Sequence, residues 1–148
     1  MSEELYLRRA TEADVDILFE WVNDKAARES AFDSHVITRA EHEKWFTEIL
    51  RSKDRLQFIL MNEKKPIGQI RFDLDGDVAE IDYSIANEER GLGYGKELLR
   101  LAILMMKKEY PHIIKLIGRV KPSNIASYHC FNLSGFEEKY RELEYILK

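Results

Sequence analysis

The chain has 148 residues, with 45% hydrophobic and 34% charged side chains and a formal net charge of −4 at pH 7. A chain of this length buries roughly two thirds of its unfolded surface in one core, so we expect a single domain over residues 1–148. Its basic residues are scattered and its net charge is negative, which argues against a nucleic-acid partner.

The sequence also indicates the cellular compartment of the protein. Its one cysteine, Cys130, cannot form an internal disulfide, and the opening stretch MSEELYLRRA lacks the apolar segment of a signal peptide. No stretch approaches the ~20 apolar residues of a membrane span. We therefore expect a cytoplasmic protein without a membrane partner that acts on small molecules as a monomer or a homodimer.

The first third of the chain predicts one strand and two amphipathic helices. Leu5 to Arg9 predicts the strand, and Thr11 caps the first helix. Asn23 to Val36 predicts irregular structure or a short helix. Thr38 with Glu41 three residues later is a capping box that opens the second long helix. The apolar stripes of the two helices are Val15, Leu18, Phe19 and Val22, and Trp45, Phe46, Ile49 and Leu50.

Three strands are predicted next, with Asp75-Gly76 as a hairpin turn between the last two. The strands cover Leu56 to Met61, Ile67 to Leu74, and Val78 to Ile85. Alternation in the third strand places an apolar row on one face and a polar row on the other. The apolar row is Ala79, Ile81, Tyr83 and Ile85. We name the polar row and its counterpart across the turn the polar strip: Gln69, Arg71, Asp73, Glu80, Asp82 and Ser84.

The remaining sequence predicts a glycine loop, a helix, a strand, a short helix and closing β-structure. The helix runs from about Gly93 to Glu109 and has almost no polar side, so we expect burial against the sheet. Ile113 to Val120 predicts an apolar strand, and a short helix follows Pro122-Ser123-Asn124 and ends near Gly135. One or two closing strands fall within Glu137 to Leu147. This order of elements indicates an α+β fold with a largely antiparallel sheet.

The glycine loop is Arg90-Gly91-Leu92-Gly93-Tyr94-Gly95-Lys96. Alternate glycines let backbone approach a ligand, and successive N–H groups can converge on one anion. The following helix directs the positive end of its dipole to the same place, so phosphate is the expected ligand. The spacing differs from GxGxxG, and Glu97 stands where a P-loop requires Ser or Thr. A tight turn without a ligand is the alternative.

Two motifs together resemble the GNAT (GCN5-related N-acetyltransferase) superfamily. Arg90-x-x-Gly93-x-Gly95 resembles its pyrophosphate-binding motif Q/R-x-x-G-x-G/A. Asn124-x-x-Ser127-x-x-x-Phe131-x-x-x-Gly135-Phe136 is similar to its second motif. The resemblance implies a mixed, largely antiparallel twisted sheet flanked by helices, with splayed central strands that form an acetyl-CoA cleft. It also implies acetyl-CoA as co-substrate. No metal is expected, because the spacing of His35, His42 and His112 is not that of metal ligands.

The resemblance assigns residues to acetyl-CoA. Backbone N–H groups from Gly91 to Lys96 would hold the pyrophosphate, with Arg90 as an additional positive charge. Main-chain groups from Tyr83 through Ser84 to Ile85 would pair with the pantetheine arm, and one would donate to the thioester oxygen as it becomes an oxyanion. The other wall would consist of Asn124, Ser127 and Phe131. Asn124 is equally well explained as a helix cap.

The implied reaction is direct attack of a neutral amine on the acetyl thioester, with positioning as a major source of acceleration. Glu80, favoured slightly over Asp82, would remove the proton of the amine, and an ion pair with Arg71 is the alternative role for both carboxylates. Phe131 stands where many family members have a tyrosine that protonates the leaving thiolate. Tyr128 is a substitute donor or an ordinary packed aromatic, and water can also serve because thiolate is a tolerable leaving group.

The acceptor is an amino sugar in the first interpretation. The stretches FEWVNDKAARESAF and EHEKWF resemble small bacterial acetyltransferases that modify amino sugars on nucleotide carriers. The resemblance places eight residues on the acceptor side of the cleft: Phe19, Trp21, Asn23, Asp24, Arg28, Phe32, Trp45 and Phe46. Core packing is the default explanation for the aromatic residues among them. Acetylation of a protein N-terminus, as in ribosomal-protein acetyltransferases, is the alternative within enzymes. A noncatalytic acyl-CoA-binding sensor is the alternative from another class, favoured by the missing tyrosine at position 131.

Overall fold

The computed structural model describes residues 4–148 and contains one five-stranded sheet in the order β1-β2-β3-β4-β5. The strands are β1 (Leu5–Arg9), β2 (Arg55–Asn62), β3 (Lys65–Asp75), β4 (Val78–Ile85) and β5 (Lys115–Gly118). The first four strands are antiparallel neighbours, whereas β5 runs parallel to β4. The helices are α1 (Val15–Val22), α2 (Lys25–Ser30), α3 (Arg39–Arg51), α4 (Tyr94–Glu109) and α5 (Ile125–Leu133). The predicted α+β architecture is confirmed.

The sheet is covered on both faces. One core packs Phe72 and Ile70 of β3 against Leu98 of α4, together with Phe131 of α5. The second core packs Ile59 of β2 against side chains of α1 and α3. Strand residues of alternating parity point to opposite faces, so the apolar row of β4 joins the first core and its polar row faces the side of α1 and α3. No helix among residues 4–148 is long and apolar enough to cross a bilayer.

Two local patterns in the sequence, a capping box and a hairpin turn, are present in the structure where they were predicted. Glu41 N donates to Thr38 Oγ1 at 3.2 Å, and Thr38 N donates to Glu41 Oε1 at 3.2 Å, which is the predicted capping box of α3. Asp75 pairs with Val78 across the predicted hairpin turn. Gly76 has a φ of 62°, the left-handed conformation that makes glycine favourable there.

Two predictions from the second half were wrong. Residues 136–148 contain no helix or strand, so the closing strands within Glu137 to Leu147 are absent from this structure. The segment is dense in charge, and its apolar side chains such as Leu143 are exposed, so no core face holds it in a ladder. Helix α4 packs against the sheet as predicted, with Leu98, Leu99 and Ala102 buried, although Leu104 is 53% exposed. The strand predicted from Ile113 to Val120 is also shorter and spans Lys115–Gly118.

The ladder between β4 and β5 is short and leaves the sheet open at one end. It runs from Val78 opposite Lys115 to Ile81 opposite Gly118. Strand β4 continues to Ile85, and over these last residues it has no strand partner on its β5 side among residues 4–148. We call this opening the cleft. The glycine loop begins just beyond the end of β4, so the fold brings the loop to the mouth of the cleft.

Candidate active site

The glycine loop is open to an anion at the N-terminus of α4. Gly91 and Gly93 have φ values of 79° and 86°, and a Cβ built on either would meet no described atom within 4 Å. Gly93 is the N-cap residue of α4 and has no side chain that could accept from the N–H groups of the first turn. Lys96 is exposed on that same turn. Open space, unshielded donors and the helix dipole together fit a phosphate.

Gly95 has a different role from the other two glycines. Its backbone has an ordinary negative φ, but a Cβ at this position would lie 3.0 Å from Cys130 Sγ of α5. The absent side chain therefore lets α5 pack closely on the first turn of α4. Spacing alone could not distinguish this role from approach to a ligand.

Arg90 makes three contacts with the protein. Its Nε donates to the carbonyl oxygen of Ile85 at 3.0 Å, and its Nη1 donates to Asn87 Oδ1 at 3.2 Å. Its Nη2 donates to Asp24 Oδ2 at 2.8 Å, on the segment between α1 and α2. The guanidinium group therefore compensates a carboxylate of the predicted acceptor side, and one main-chain oxygen at the end of β4 already has a donor.

Tyr83 links the two walls of the cleft through its side chain. Its hydroxyl lies 3.1 Å from Ser127 Oγ, and its ring packs edge-on against Phe131 with centroids 5.5 Å apart. Burial is the main cause that raises the pKa of Tyr83 well above its ordinary value, so the phenol stays protonated. The sequence interpretation considered only the main chain of this residue.

Helix α5 carries Ser127 and Phe131 of the second motif, with a cap at its start. Asn124 accepts from Ser127 N at 3.2 Å, so it caps the helix. Phe131 is buried at the end of β5, where a Cβ on Gly118 would collide with its ring. Tyr128 lies one turn away with 44% of its surface exposed. Tyr128 is therefore partly accessible and carries a hydroxyl group, whereas Phe131 has none.

The polar strip forms as predicted on the face of α1 and α3. The register places Gln69 opposite Ser84 and Arg71 opposite Asp82. Gln69 Nε2 donates to Ser84 Oγ at 3.2 Å, and the buried Gln57 extends the strip by donating to Gln69 Oε1 at 2.7 Å. Gln57 was missed by the sequence analysis, although its position opposite Arg71 in the β2–β3 register follows from the alternation.

Helix α3 borders the polar strip through one aromatic side chain. The guanidinium of Arg71 lies over the Trp45 ring, 5.4 Å from its centroid. Arg71 Nε also donates to Asp73 Oδ1 at 3.0 Å, and Arg55 Nε donates to the same oxygen at 3.2 Å. Asp73 is thus held between two arginines, which removes it from the set of available carboxylates.

Glu80 and Asp82 have different surroundings. The nearest cation to Asp82 is Arg71, whose Nη1 lies 3.7 Å from Asp82 Oδ2, and the Asp82 side chain is 60% exposed. Glu80 lies 3.6 Å from Arg119 Nε and its side chain is 36% exposed. Asp82 follows the last β4–β5 pair, whereas Glu80 pairs with Ile117 inside the ladder. Asp82 is therefore the more accessible carboxylate and the one beside the cleft.

Sequence comparison places these features in a known family. A family model described as an acetyltransferase (GNAT) domain matches residues 4–137. Aminoglycoside N(6')-acetyltransferase type 1 of Klebsiella pneumoniae is 24% identical over 154 residues, which cover 93% of this chain and 76% of the relative. The match thus extends over most of both proteins.

Solved structures agree with this fold. The structure of AAC(6')-Ib in complex with ribostamycin and coenzyme A superposes with a TM-score of 0.80 at 26% identity, covering 92% of this chain and 84% of that chain. Spermidine N-acetyltransferase from Vibrio cholerae in complex with CoA and spermine gives a TM-score of 0.82 at 20% identity, covering 92% and 82%. The second likeness concerns the fold alone. With its glycine loop, its open five-stranded sheet and a family match over residues 4–137, the chain belongs to the GNAT family and is an acetyl-CoA-dependent N-acetyltransferase.

Proposed function

We propose that the protein transfers the acetyl group of acetyl-CoA, by direct attack, to a primary amine of an amino sugar. The observation that carries the proposal is the exposed carboxylate of Asp82, on the polar strip beside the cleft. A carboxylate there can hold an incoming ammonium group and accept its proton. The glycine loop on the other side of the cleft would fix the donor.

Asp82 is the base that we favour over Glu80. It lies on β4 just beyond the last pair with β5, and its contacts with Gln69 and Arg71 are long, at 3.5 and 3.7 Å. Glu80 remains the alternative, with Arg119 as its nearest cation. The slight preference for Glu80 in the sequence analysis took no account of where the β4–β5 ladder ends.

The rest of the reaction uses main chain and water. The donors proposed for the thioester oxygen are N–H groups within Tyr83–Ile85, where the β5 side of β4 is unpaired. The departing thiolate takes its proton from water or from the exposed hydroxyl of Tyr128, because Phe131 has none. Attack by the amine forms the C–N bond, collapse of the intermediate breaks the C–S bond, and the proton of the amine passes to Asp82.

The choice of an amino sugar is supported by the relatives. The curated relatives are named for acetylation of aminoglycosides, whose amines are carried on sugar rings. An amine of lowered pKa is partly neutral at pH 7 and requires less of its base. Attachment of the sugar to a nucleotide is the narrower form of the proposal.

A thiol-release assay with acetyl-CoA tests the proposal. The panel comprises amino-sugar nucleotides, aminoglycosides, polyamines and short peptides, and N-acetylated sugars without a free amine serve as matched controls. We expect CoA release with amino sugars and none with their acetylated forms. Turnover with peptides alone would instead establish the N-terminal type. Binding of acetyl-CoA without turnover on any amine would establish the sensor.

A further inference from the structure

Helix α2 lies between two loops that leave the ends of β4 and β5. At its start, the N-cap residue Asp24 accepts from Arg90 Nη2 at 2.8 Å, and Arg90 follows β4. Near its end, the carbonyl oxygen of Glu29 accepts from Lys121 Nζ at 3.1 Å, and Lys121 follows β5. Strand β4 continues beyond the end of β5 between these anchors, so α2 spans the open end of the cleft.

These polar anchors matter because α2 has no core of its own. Within Lys25–Ser30 no side chain is buried. The base of the segment is closed by Asn23, whose side chain donates to Ile37 O at 2.7 Å and accepts from Ile37 N at 2.9 Å. A six-residue helix without buried apolar surface is marginal by itself, so its placement depends on polar contacts. These are the contacts at its two ends and the bonds from Arg28 Nη1 to the carbonyl oxygens of Asp33 and His35 in the following loop, both at 3.2 Å.

The contact at the start of α2 is the stronger one. Asp24 Oδ2 accepts both from Ala27 N, at 3.1 Å, and from Arg90 Nη2. The side chains of Asp24 and Arg90 are only 20% and 33% exposed. Arg90 is in turn fixed to the end of β4 through Ile85 O. A charge-assisted and partly shielded bond therefore connects the acceptor-side segment to the strand that borders the cleft.

The geometry points to Arg90 and Lys121 as positioning residues that hold α2 across the cleft, so that binding of the amine acceptor depends on both cations. The inference rests on the proposed function, in which the segment around α2 forms the acceptor side. It gives Arg90 a role different from the additional phosphate charge expected from the family motif. Donor binding then relies on the backbone of the glycine loop, and Arg90 acts on the acceptor.

Three variants and one control test the inference: Arg90→Gln, Asp24→Asn, Lys121→Met and Arg100→Gln. Arg100 is a matched control because it pairs with Glu97 on the surface of α4, and its substitution also removes one arginine charge. The first measurement is amide hydrogen exchange of residues 25–30 in the free protein. We expect about tenfold faster exchange in Arg90→Gln and Asp24→Asn, a smaller increase in Lys121→Met, and no change in the control.

The second measurement separates the two substrates. Calorimetry gives the Kd of acetyl-CoA in the absence of acceptor, and steady-state kinetics gives the KM of the best amine. We expect the acceptor KM to rise about tenfold in Arg90→Gln and in Asp24→Asn, with the acetyl-CoA Kd unchanged within about twofold. The double variant Asp24→Asn/Arg90→Gln should resemble Arg90→Gln alone, because the bond between the two side chains can be lost only once.

The opposite results are distinct. A higher Kd for acetyl-CoA in Arg90→Gln, with the Kd of Asp24→Asn unchanged, would make Arg90 a phosphate ligand and overturn the inference. Faster exchange with an unchanged acceptor KM would reduce the anchors to a purely structural role and would also overturn it. If no amine is acetylated, the proposed function fails, while the exchange and calorimetry experiments still decide whether Arg90 holds α2 or binds the donor.

Discussion

The hydroxyl group of Tyr83 lies 3.1 Å from Ser127 Oγ, and this contact joins strand β4 to helix α5 behind the cleft. The Tyr83 ring packs edge-on against Phe131, so the polar contact is enclosed by aromatic surface. Burial is the main cause that raises the pKa of the Tyr83 phenol, so the folded chain favours its protonated form. The contact between β4 and α5 should therefore weaken at strongly alkaline pH.

Tyr83→Phe should change the alkaline limit of stability. At pH 8 we expect a loss of about 1 kcal/mol in the free energy of unfolding, from one hydrogen bond. In the unchanged protein, the unfolded chain releases the Tyr83 proton near pH 10 whereas the folded chain retains it, so stability falls above that pH. Tyr83→Phe should lack this part of the decrease in stability.

Urea unfolding at pH 8 and pH 11 measures the decrease in the free energy of unfolding. The control is Tyr140→Phe, at an exposed tyrosine. An equal decrease in the unchanged protein and in both variants would contradict the assignment.

Gly93→Ala and Gly76→Ala form a matched pair. Both glycines have positive φ, and an added Cβ at either meets no described atom within 4 Å. Each variant should therefore lose about 1 kcal/mol of stability through backbone strain. Only Gly93→Ala should also weaken the binding of acetyl-CoA. Its Kd should rise about tenfold or more, because displaced N–H donors lose hydrogen bonds to the anion.

Calorimetric titration with acetyl-CoA distinguishes the two glycines, and thermal unfolding verifies that their stability losses match. Unchanged acetyl-CoA affinity in Gly93→Ala would remove the glycine loop from the donor site. A similar loss of affinity in Gly76→Ala would indicate an effect of stability alone.

Asp82→Asn should lower kcat about a hundredfold or more, the usual contribution of a general base, while leaving the Kd of acetyl-CoA unchanged. Glu80→Gln should lower kcat less than about threefold, since Glu80 lies within the paired part of β4. The measurement is kcat and kcat/KM from pH 6 to pH 9 for both variants. A large effect confined to Glu80→Gln would transfer the role to that residue, and no effect in either would mean that the amine reacts without a protein base.

Asp14 should make the fold sensitive to acid. Burial raises the pKa of Asp14, but hydrogen bonds from Arg8 and from Thr11 N together lower it by a larger amount. The pKa of Asp14 is therefore below its ordinary value. Its stabilisation is thus present above the pKa of the unfolded chain and is lost as pH falls through the folded pKa.

Asp14→Asn removes that stabilisation at every pH. We expect a loss of about 2 kcal/mol at pH 7, because Arg8 then keeps a shielded charge without its partner, and a smaller difference from the unchanged protein near pH 3. Urea titrations at the two pH values measure both effects. Asp16→Asn, at an exposed ion pair with Arg39, is the control and should change little. A difference that stays constant with pH would exclude titration of Asp14 as the cause.

Sequence patterns that span only a few residues were sufficient to predict much of the fold. The capping box at Thr38, the hairpin at Gly76 and the polar strip each depend on spacing that reads directly from the chain. The bond between Arg90 and Asp24 joins residues 66 positions apart, and no local pattern indicates it. The close approach of Phe131 to Gly118 also joins residues that no local pattern connects. The end of the β4–β5 ladder, which distinguishes Asp82 from Glu80, is a property of pairing and not of sequence period.

The four-pair ladder between β4 and β5 also has a consequence for measurements of stability. A ligand that occupies the space where the strands part binds the folded chain only, so it raises the unfolding free energy by RT ln(1 + [L]/Kd). At a hundred times its Kd, acetyl-CoA would add about 2.7 kcal/mol. Resistance to heat and proteases in a cell would then follow the supply of acetyl groups, and a depleted pool would shorten the lifetime of the enzyme as well as slow its turnover.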